Sequence, residues 1–256
     1  QTDYSEEADG QVLYTYDEEG KRLSMSDLTG TSTYQYDADG RITGVQQGDG
    51  SVILYNYDSY GNLAKLIYPD GSEVQYEYDA LDRLIKVTDR EGKETGYTYD
   101  VAGNMTEVLR ANQTSAKLTY DAAHQVTEIQ NRDAKGKTIS TYRYTYDLSG
   151  YILTESIKTK KETKVSNYGY DAAGQLSEIV MKDSEDKVIQ RVTYAYDGAG
   201  NKIEVRQSTE NALEQATETI IKNTYNAANR LVSSEQDGKE TTYIYDANGN
   251  RVRELN

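Results

Sequence analysis

Short stretches of alternating apolar and polar residues recur along this chain. In residues 73–78, for example, Val74, Tyr76 and Tyr78 alternate with a glutamine and a glutamate. Because successive side chains of a β-strand point to opposite faces, such alternation is typical of a strand with one face shielded from water. The pattern therefore predicts a half-buried strand that ends at the second tyrosine.

The tyrosine that ends this strand recurs throughout the chain at intervals of 20 to 29 residues. The eleven copies are Tyr16, Tyr36, Tyr57, Tyr78, Tyr99, Tyr120, Tyr146, Tyr170, Tyr196, Tyr225 and Tyr245. Nine of them are preceded, two positions earlier, by another tyrosine. A segment repeated at a nearly fixed period indicates tandem structural units. Positions in each unit are therefore numbered from this tyrosine, which is position 0.

A turn signal follows position 0 in every unit. Position +1 is Asp in ten units and Asn in the other, and both side chains accept hydrogen bonds from nearby backbone N–H groups in turns. Position +4 is Gly in eight units and Asp82, His124 or Asn229 in the rest, all residue types that tolerate a positive φ. Representative pairs are Asp58 with Gly61 and Asp100 with Gly103. These residues predict a hairpin turn closed by a left-handed residue.

The second half of each unit predicts a return strand. Aliphatic residues recur at +6 and +9, such as Leu63 and Leu66, whereas +8 is largely polar. Position +7 shares the parity of +9 and is often aliphatic, as in Ile85. We expect +7 and +9 to line the inner face and +6 to plug the turn. Because a second turn, often with glycine, leads to the next unit, each unit is predicted to be one β-hairpin.

The hairpins form one predicted array over residues 1–256, regular over 12–125 and 225–256. Units within 126–224 are longer, and we expect their extra residues to lengthen the hairpins near the second turn. The Ala- and Glu-rich residues 210–218 are also compatible with a short helix.

Eleven hairpins in series predict an all-β fold of about 22 strands in one long antiparallel sheet, which at roughly 4.8 Å per strand would extend beyond ~100 Å. Neighbouring strands rotate by roughly 20 to 25 degrees, so a sheet this long is expected to coil into a spiral or a hollow shell segment. No helical stretch is long enough to cover the sheet. We therefore expect the tyrosines to shield its apolar face by stacking from one hairpin to the next.

The composition explains why the tyrosines are needed. Leu, Ile and Val together number 45 of 256 residues, Phe and Trp are absent, and the net charge is −15, a balance usual for disordered chains. The 25 tyrosines supply the missing apolar area, and each has a hydroxyl that prefers a partner or water. The buried surface is therefore expected to be partly polar.

The same composition disfavours several classes of protein. Without Cys there is no disulfide framework, thiolate zinc site or Cys nucleophile. The 43 acidic residues outnumber 28 basic ones, with no basic stripe, and would repel nucleic acid. No apolar run reaches the roughly 18 residues of a membrane span. The start at Gln1, without a targeting segment, is interpreted as a processed or excised piece.

Candidate catalytic chemistry is sparse. The one histidine, His124, occupies the +4 turn position, and no nucleotide-binding, metalloprotease or serine-hydrolase motif occurs. Residues 37–40 and 246–250 group oxygen ligands that suit calcium, but their spacing does not match an EF-hand and their first Asp already belongs to the turn. The sequence therefore predicts no enzyme, no cofactor and no metal site.

Three tyrosines outside the repeat pattern are the best candidates for contact with a ligand. They are Tyr60, Tyr68 and Tyr151. An exposed aromatic ring offers a flat apolar face with a polar tip, which suits a carbohydrate or a protein partner.

Residues 57–66, with the sequence YDSYGNLAKL, resemble the consensus unit of the YD-repeat or Rhs-repeat family. The resemblance extends over nearly the whole chain. The family includes the shells of bacterial Rhs and Tc toxins, wall-associated proteins and teneurins. It implies a ribbon of β-hairpins that spirals into a hollow shell, which in the toxins encloses a C-terminal effector.

Toxin members end in a Pro-rich segment with an aspartyl self-cleavage site. This chain has one proline, Pro69, and no Asp-Pro pair.

We therefore expect a non-enzymatic structural module, part of a shell or stalk that encloses or presents another domain. As the resemblance implies, its partners would be flanking repeats and a cargo or tip domain, in a protein secreted by a bacterium or displayed on its surface. The alternative is a surface adhesin that binds glycans or a protein partner through the hairpin edges.

Overall fold

A computed structural model describes residues 2–3, 11–209 and 217–255, and these form twenty-three β-strands and no helix. The strands are β1 (Thr2–Asp3), β2 (Gln11–Tyr16), β3 (Arg22–Asp27), β4 (Gly30–Tyr36), β5 (Ile42–Gln46), β6 (Val52–Tyr57), β7 (Leu63–Ile67), β8 (Glu73–Tyr78), β9 (Leu84–Thr88), β10 (Glu94–Tyr99), β11 (Met105–Leu109), β12 (Ser115–Tyr120), β13 (Val126–Arg132), β14 (Thr138–Tyr146), β15 (Ile152–Thr159), β16 (Thr163–Tyr170), β17 (Leu176–Lys182), β18 (Val188–Tyr196), β19 (Lys202–Thr209), β20 (Thr217–Tyr225), β21 (Leu231–Gln236), β22 (Lys239–Tyr245) and β23 (Arg251–Leu255). Every even-numbered strand from β2 to β22 ends at one of the eleven position-0 tyrosines. Most of the alternative helix, residues 210–216, lies outside the described residues, whereas Thr217 and Glu218 belong to β20.

The chain divides into two compact units, Gln1–Ser115 and Ala116–Asn256. In the first, each strand from β1 to β11 pairs antiparallel with the next strand along the chain. In the second, the strands from β13 to β23 follow the same rule. The predicted all-β class and its tandem antiparallel hairpins are therefore confirmed.

Strand length differs between the two units. Strands β2 to β11 are five to seven residues long. Strands β13 to β20 are seven to nine residues long. In the described residues from β13 to β19, the extra residues of the longer repeats thus lengthen the strands, and the turns between these strands stay short.

The turn after position 0 has one geometry throughout the described repeats. In the Tyr57 repeat, the N–H of Gly61 donates to the carbonyl of Asp58 at 3.1 Å, and the N–H of Asp58 donates to the carbonyl of Asn62 at 2.9 Å. Gly61 has a φ of 93°. Asp82, His124 and Asn229 take the same left-handed conformation with φ of 57°, 63° and 56°. The residue types at +4 predicted this backbone, because only Gly and short polar residues visit it at low cost.

A bulge at the start of the return strand differs from the arrangement expected for it. Tyr57 lies opposite Leu63 and Asn56 lies opposite Lys65, so Ala64 at +7 has no counterpart on β6. The same register shift occurs at position 0 of β2, β4, β8, β10, β14, β16, β18, β20 and β22. Because a bulge inserts one residue into one strand, it reverses the alternation beyond it. Positions +6 and +9 therefore share the face of the tyrosines.

Position +7 joins +8 on the opposite face of the sheet. Thr106, at +7, bonds the hydroxyl of Thr98 at 3.1 Å, and Thr154, at +8, bonds that of Thr145 at 2.7 Å. Thr98 and Thr145 both occupy position −1, between the two tyrosines of their strand. The expectation that +7 lines the inner face is therefore wrong, because the bulge places +7 on the face opposite the tyrosines, whereas +9 lies on their face as expected.

The described residues contain no large side chain that is fully buried. The most buried apolar side chains are Val12 and Ala116, at 9% and 8% exposure, and the most buried polar one is Thr141 at 5%. Most tyrosines at position 0 are half-buried. The described strands thus hide their apolar area along a tyrosine-rich face that stays partly hydrated, as the composition predicts.

Candidate functional site

The candidate site is a row of hydrogen bonds between neighbouring repeats, which we call the seam. The hydroxyl of Tyr57 donates to the carbonyl oxygen of Ile42 at 2.8 Å, and that of Tyr78 donates to Leu63 at 3.0 Å. In each case the acceptor is the +6 residue of the preceding repeat. The same bond joins Tyr36 to Arg22, Tyr99 to Leu84, Tyr146 to Val126, Tyr170 to Ile152, Tyr196 to Leu176, Tyr225 to Lys202 and Tyr245 to Leu231.

The seam forms where the strand ladder ends. Strand β7 pairs with β8 from Ile67 as far as Lys65, so the carbonyl of Leu63 lies beyond the last paired residue. A buried carbonyl without a partner costs free energy. The hydroxyl of Tyr78 reaches across from the end of β8 and supplies the missing donor. In the nine repeats of the seam, the position-0 tyrosine thereby links its own hairpin to the preceding one.

Burial at the seam changes the acidity of the tyrosines. Desolvation raises the pKa of Tyr57, Tyr78, Tyr146, Tyr170 and Tyr196, because the ionised phenolate loses hydration that the neutral hydroxyl needs less. These side chains therefore stay protonated, and can donate their hydrogen bonds, at neutral pH.

The largest shift belongs to a neighbouring tyrosine. Burial, together with a 3.0 Å hydrogen bond from its hydroxyl to Glu155, raises the pKa of Tyr168 to about 12. The carboxylate of Glu155 would repel the phenolate, so this hydroxyl too remains a donor.

An arginine guanidinium lies over the ring of three position-0 tyrosines, Tyr57, Tyr99 and Tyr245. The guanidinium of Arg41 lies 4.8 Å from the ring centre of Tyr57, and that of Arg83 lies 4.7 Å from Tyr99. Among the described residues, the two close tyrosine ring pairs are Tyr14 with Tyr16, within one strand, and Tyr151 with Tyr170. Stacking from one hairpin to the next, expected from the sequence, is thus an exception, and hydrogen bonds and Arg–Tyr contacts take its place.

The Asp at +1 acts within its own turn. One carboxylate oxygen of Asp58 accepts from the backbone N–H groups of Tyr60 and Asn62, both at 2.9 Å. Asp100 accepts from Ala102 and Asn104 in the same way. Hydrogen bonds from the side chain and backbone of Asn104 hold the pKa of Asp100 below its ordinary value. These carboxylates therefore act as turn formers.

The acidic residues considered for calcium are held by cations or turns. Asp37 and Asp39 both contact Arg41, at 2.7 Å and 2.9 Å. Within the described ranges, no group of three or more acidic or His side chains has a metal-binding arrangement. His124 lies at the +4 position of its turn, with a φ of 63°. In the same residues there is no helix that could cross a membrane.

The structure separates the off-pattern tyrosines of the first unit. Tyr60 is 84% exposed in the turn before β7, whereas Tyr68 lies in the turn after β7 with the guanidinium of Arg90 4.4 Å from its ring centre. They occupy opposite ends of one strand and do not form a joint platform. In the second unit, Tyr151 packs 4.8 Å from the ring centre of Tyr170 and lines an open depression of about 550 Å³ with Asp147.

Tandem hairpins with a Tyr-Asp turn and a tyrosine seam define a repeat protein of the YD class. The model of the teneurin YD-shell matches residues 4–87 and 70–215, and the model of the RHS repeat matches residues 225–256. The chain therefore belongs to the teneurin YD-shell family, as its resemblance to YD repeats implied.

Solved structures share this fold at low sequence identity. The Tc holotoxin pore of Photorhabdus luminescens is 18% identical with a TM-score of 0.64, and the match covers 95% of this chain and 16% of that one. The crystal structure of TcdB2-TccC3-TEV is 15% identical with a TM-score of 0.51, over 91% of this chain and 16% of that one. TcdB2-TccC3-Cdc42 is 13% identical with a TM-score of 0.51, over 95% and 18%. The chain thus spans less than a fifth of each. No curated protein matches it.

Proposed function

We propose that this chain is a non-catalytic segment of a shell wall, which together with flanking repeats encloses another domain of its parent protein. The parent would be secreted by a bacterium or displayed on its surface. The observation that supports this proposal is the seam, because a hydrogen bond of the same kind joins four pairs of consecutive hairpins in the first unit and five in the second.

The packing of each unit supports a wall one sheet thick. Within a unit, substantial contacts are made between strands that are consecutive in the chain. In repeat proteins of this kind, stability is a sum of repeat terms and nearest-neighbour terms, so further repeats extend the wall without a new core. The family membership and the similarity to Tc toxin proteins add to the case for a shell, whereas neither favours the adhesin alternative.

A protease-protection experiment on the full-length parent protein tests enclosure. The adjoining domain is released by protease at a measured rate in the intact protein and, separately, as an isolated domain. We expect at least a tenfold slower rate in the intact protein. Equal rates would overturn the proposal, because a domain outside the wall gains no protection from it.

Variants at the seam make the test specific to this segment. Replacing both Tyr78 and Tyr99 by Phe removes two bonds between repeats, each worth roughly 0.5–1.5 kcal/mol, so openings of the wall should become several-fold more frequent. Tyr76→Phe with Tyr97→Phe is the matched control, since these tyrosines lie two positions earlier in the same strands and make no bond of the seam. Cleavage of the enclosed domain should accelerate in the first pair alone.

A further inference from the structure

The +5 residue of one repeat lies against the +4 residue of the next. In the first unit, the side-chain amide of Asn62 donates to a carboxylate oxygen of Asp82 at 2.9 Å. One junction earlier, the guanidinium of Arg41 reaches Gly61, and a Cβ on that glycine would lie 2.9 Å from its Nη1. At the first junction the +4 residue has a side chain, which the +5 residue bonds. At the second the +4 residue has none, and the +5 side chain lies where its Cβ would be.

Where +4 is glycine, a longer +5 side chain occupies the space that a Cβ would take. A Cβ on Gly40 would lie 3.0 Å from Cε of Lys21. On Gly150 it would lie 3.0 Å from Nε2 of Gln125, and on Gly200 3.3 Å from Oε1 of Gln175. Tyr151 over Gly174 and Arg230 over Gly249 approach closer still.

One glycine junction departs from this geometry. Nothing approaches the Cβ position of Gly103. The preceding +5 residue, Arg83, instead donates from Nη1 to the carbonyl of Asp100 at 3.1 Å, in the same turn as Gly103. The long side chain of Arg83 thus also contacts the next turn, through a hydrogen bond to its backbone.

Where +4 carries a side chain, the preceding +5 residue is asparagine. Asn62 precedes Asp82, and Asn201 donates to the side-chain oxygen of Asn229 at 3.0 Å. In the sequence, Asn104 holds the +5 position before the third case, His124. The seven glycine junctions follow Lys, Arg, Gln or Tyr, and none follows Asn. The two positions therefore vary together along this one chain.

Steric and polar complementarity explain the covariation. A left-handed +4 residue directs its Cβ toward the +5 side chain of the preceding repeat, so a long side chain and a Cβ compete for one space. Glycine at +4 has no Cβ and so leaves room for a long +5 side chain. Asparagine at +5 is short enough to leave room for a side chain at +4. Its amide has two N–H groups, and Asn62 and Asn201 use them on the Asp of their own turn and on the next repeat.

We propose that the +5 and +4 residues form a docking code by which each hairpin selects the hairpin that follows it. The hairpin of β22 and β23 presents Asn250 at +5, bonded to Asp246 at 3.0 Å as Asn201 is bonded to Asp197 at 2.9 Å. The surface of this hairpin therefore fits a repeat with Asp, Asn or His at +4 and disfavours one with Gly. This last step rests on the proposed function, because it assumes that a flanking repeat docks there.

A double-mutant cycle tests the code inside the chain. Asn62→Tyr copies the +5 residue of the Tyr151–Gly174 junction, and Asp82→Gly copies its +4 residue. We expect Asn62→Tyr to lower the urea midpoint clearly in the parent background and to lower it by less than half as much in the Asp82→Gly background. Loss of the bond to Asp58 affects both backgrounds and cancels in the cycle.

A mismatched pair is the control. Arg41→Asn combined with Asp82→Gly also changes one +5 and one +4 residue, but at different junctions, since Arg41 borders Gly61. Its two effects should add. Circular dichroism of each variant at zero urea identifies any that fail to fold, and Asn62→Gln, with a smaller side chain than Asn62→Tyr, then repeats the cycle. Additive effects in the Asn62–Asp82 cycle would overturn the docking code.

Extending the chain tests the partner of Asn250. A copy of residues 68–88 is appended after Leu255, with its +4 residue as Asp or Gly, on chains with Asn250 or Asn250→Arg. Hydrogen exchange should be several-fold slower in the appended strands for the matched combinations, Asn with Asp and Arg with Gly. Equal protection in all four overturns the assignment of Asn250. Exchange at the free-peptide rate in all four instead contradicts the proposed function, while the internal cycle decides the code.

Discussion

The hydroxyl of Tyr57 donates a 2.8 Å hydrogen bond to the carbonyl of Ile42, fifteen residues earlier and in the preceding hairpin. This bond explains why the repeats of the seam use tyrosine at position 0, although Phe would bury a similar ring. The ring covers the apolar face of the sheet, and its hydroxyl satisfies a carbonyl beyond the end of the ladder. Shape and polarity are thus needed at the same position.

Tyr57→Phe should destabilise the chain by about 0.5–1.5 kcal/mol, because it removes the donor and leaves the carbonyl of Ile42 without this partner. Urea titration followed by circular dichroism measures the change. Tyr55→Phe is the matched control, since Tyr55 lies two residues earlier in β6 and makes no bond of the seam. Equal effects of the two substitutions would mean that the hydroxyl of Tyr57 adds nothing beyond its ring.

Gly61→Ala should cost more than Gly71→Ala, although both glycines have positive φ, 93° and 79°. A Cβ at Gly71 meets nothing within 4 Å, so only backbone strain of about 1–3 kcal/mol applies there. At Gly61 the new methyl group must also displace Arg41 from its place over Tyr57. Urea midpoints of the two variants give the difference. Arg41→Ala should reduce that difference, and an unchanged difference in this background would contradict the steric explanation.

The hairpins and their turns could be predicted from the sequence because the information is local. The Asp at +1 and the left-handed residue at +4 form their bonds within five residues, as Asp58 and Gly61 do. Even the exceptions Asp82 and Asn229 were readable, because only a few residue types tolerate that backbone.

The bulge and the seam could not be predicted from local residue types in this way. The three-residue spacing of Leu63 and Leu66 contained a signal for the bulge, because two residues of odd separation share a strand face only when an extra residue intervenes. The seam joins a side chain to a backbone carbonyl of another repeat. Every residue has a backbone carbonyl, so the residue types in the sequence do not identify Leu63 as the acceptor of Tyr78.

Alkaline pH should weaken the folded state. Burial raises the pKa of Tyr57, Tyr78 and Tyr146 above the free value of about 10. A raised pKa in the folded state means that these groups stabilise it fully below about pH 10, and that this contribution is lost as the pH rises through their folded pKa values. The urea midpoint should therefore be level between pH 7 and about 9 and should fall above about pH 10.

Absorbance at 295 nm measures the same ionisation directly. In the folded chain, part of the absorbance change should occur at a higher pH than in concentrated urea, because Tyr57, Tyr78 and Tyr146 ionise later when they are folded. A folded-state titration that coincides with the unfolded one would contradict the raised pKa values.

Acid should weaken the turns, and Asp100→Asn should remove part of that effect. Hydrogen bonds from Asn104 hold the pKa of Asp100 below its ordinary value, so the charged form stabilises the fold above about pH 4 and the contribution is lost as the pH falls through the folded pKa. Asparagine keeps the acceptor without the charge, as Asn226 does for the N–H groups of Ala228 and Arg230. The drop in urea midpoint from pH 7 to about pH 2.5 should therefore be smaller in Asp100→Asn than in the parent chain.

The control for this titration is Glu18→Gln, in an exposed part of the Asp17 turn. The backbone N–H of Lys21 bonds the carboxylate of Asp17, so the side chain of Glu18 is not the acceptor of that turn. Its removal should leave the acid-induced drop unchanged. If Asp100→Asn and Glu18→Gln altered the drop equally, net charge would be the cause, because each substitution removes one negative charge and only the first removes a charged turn acceptor.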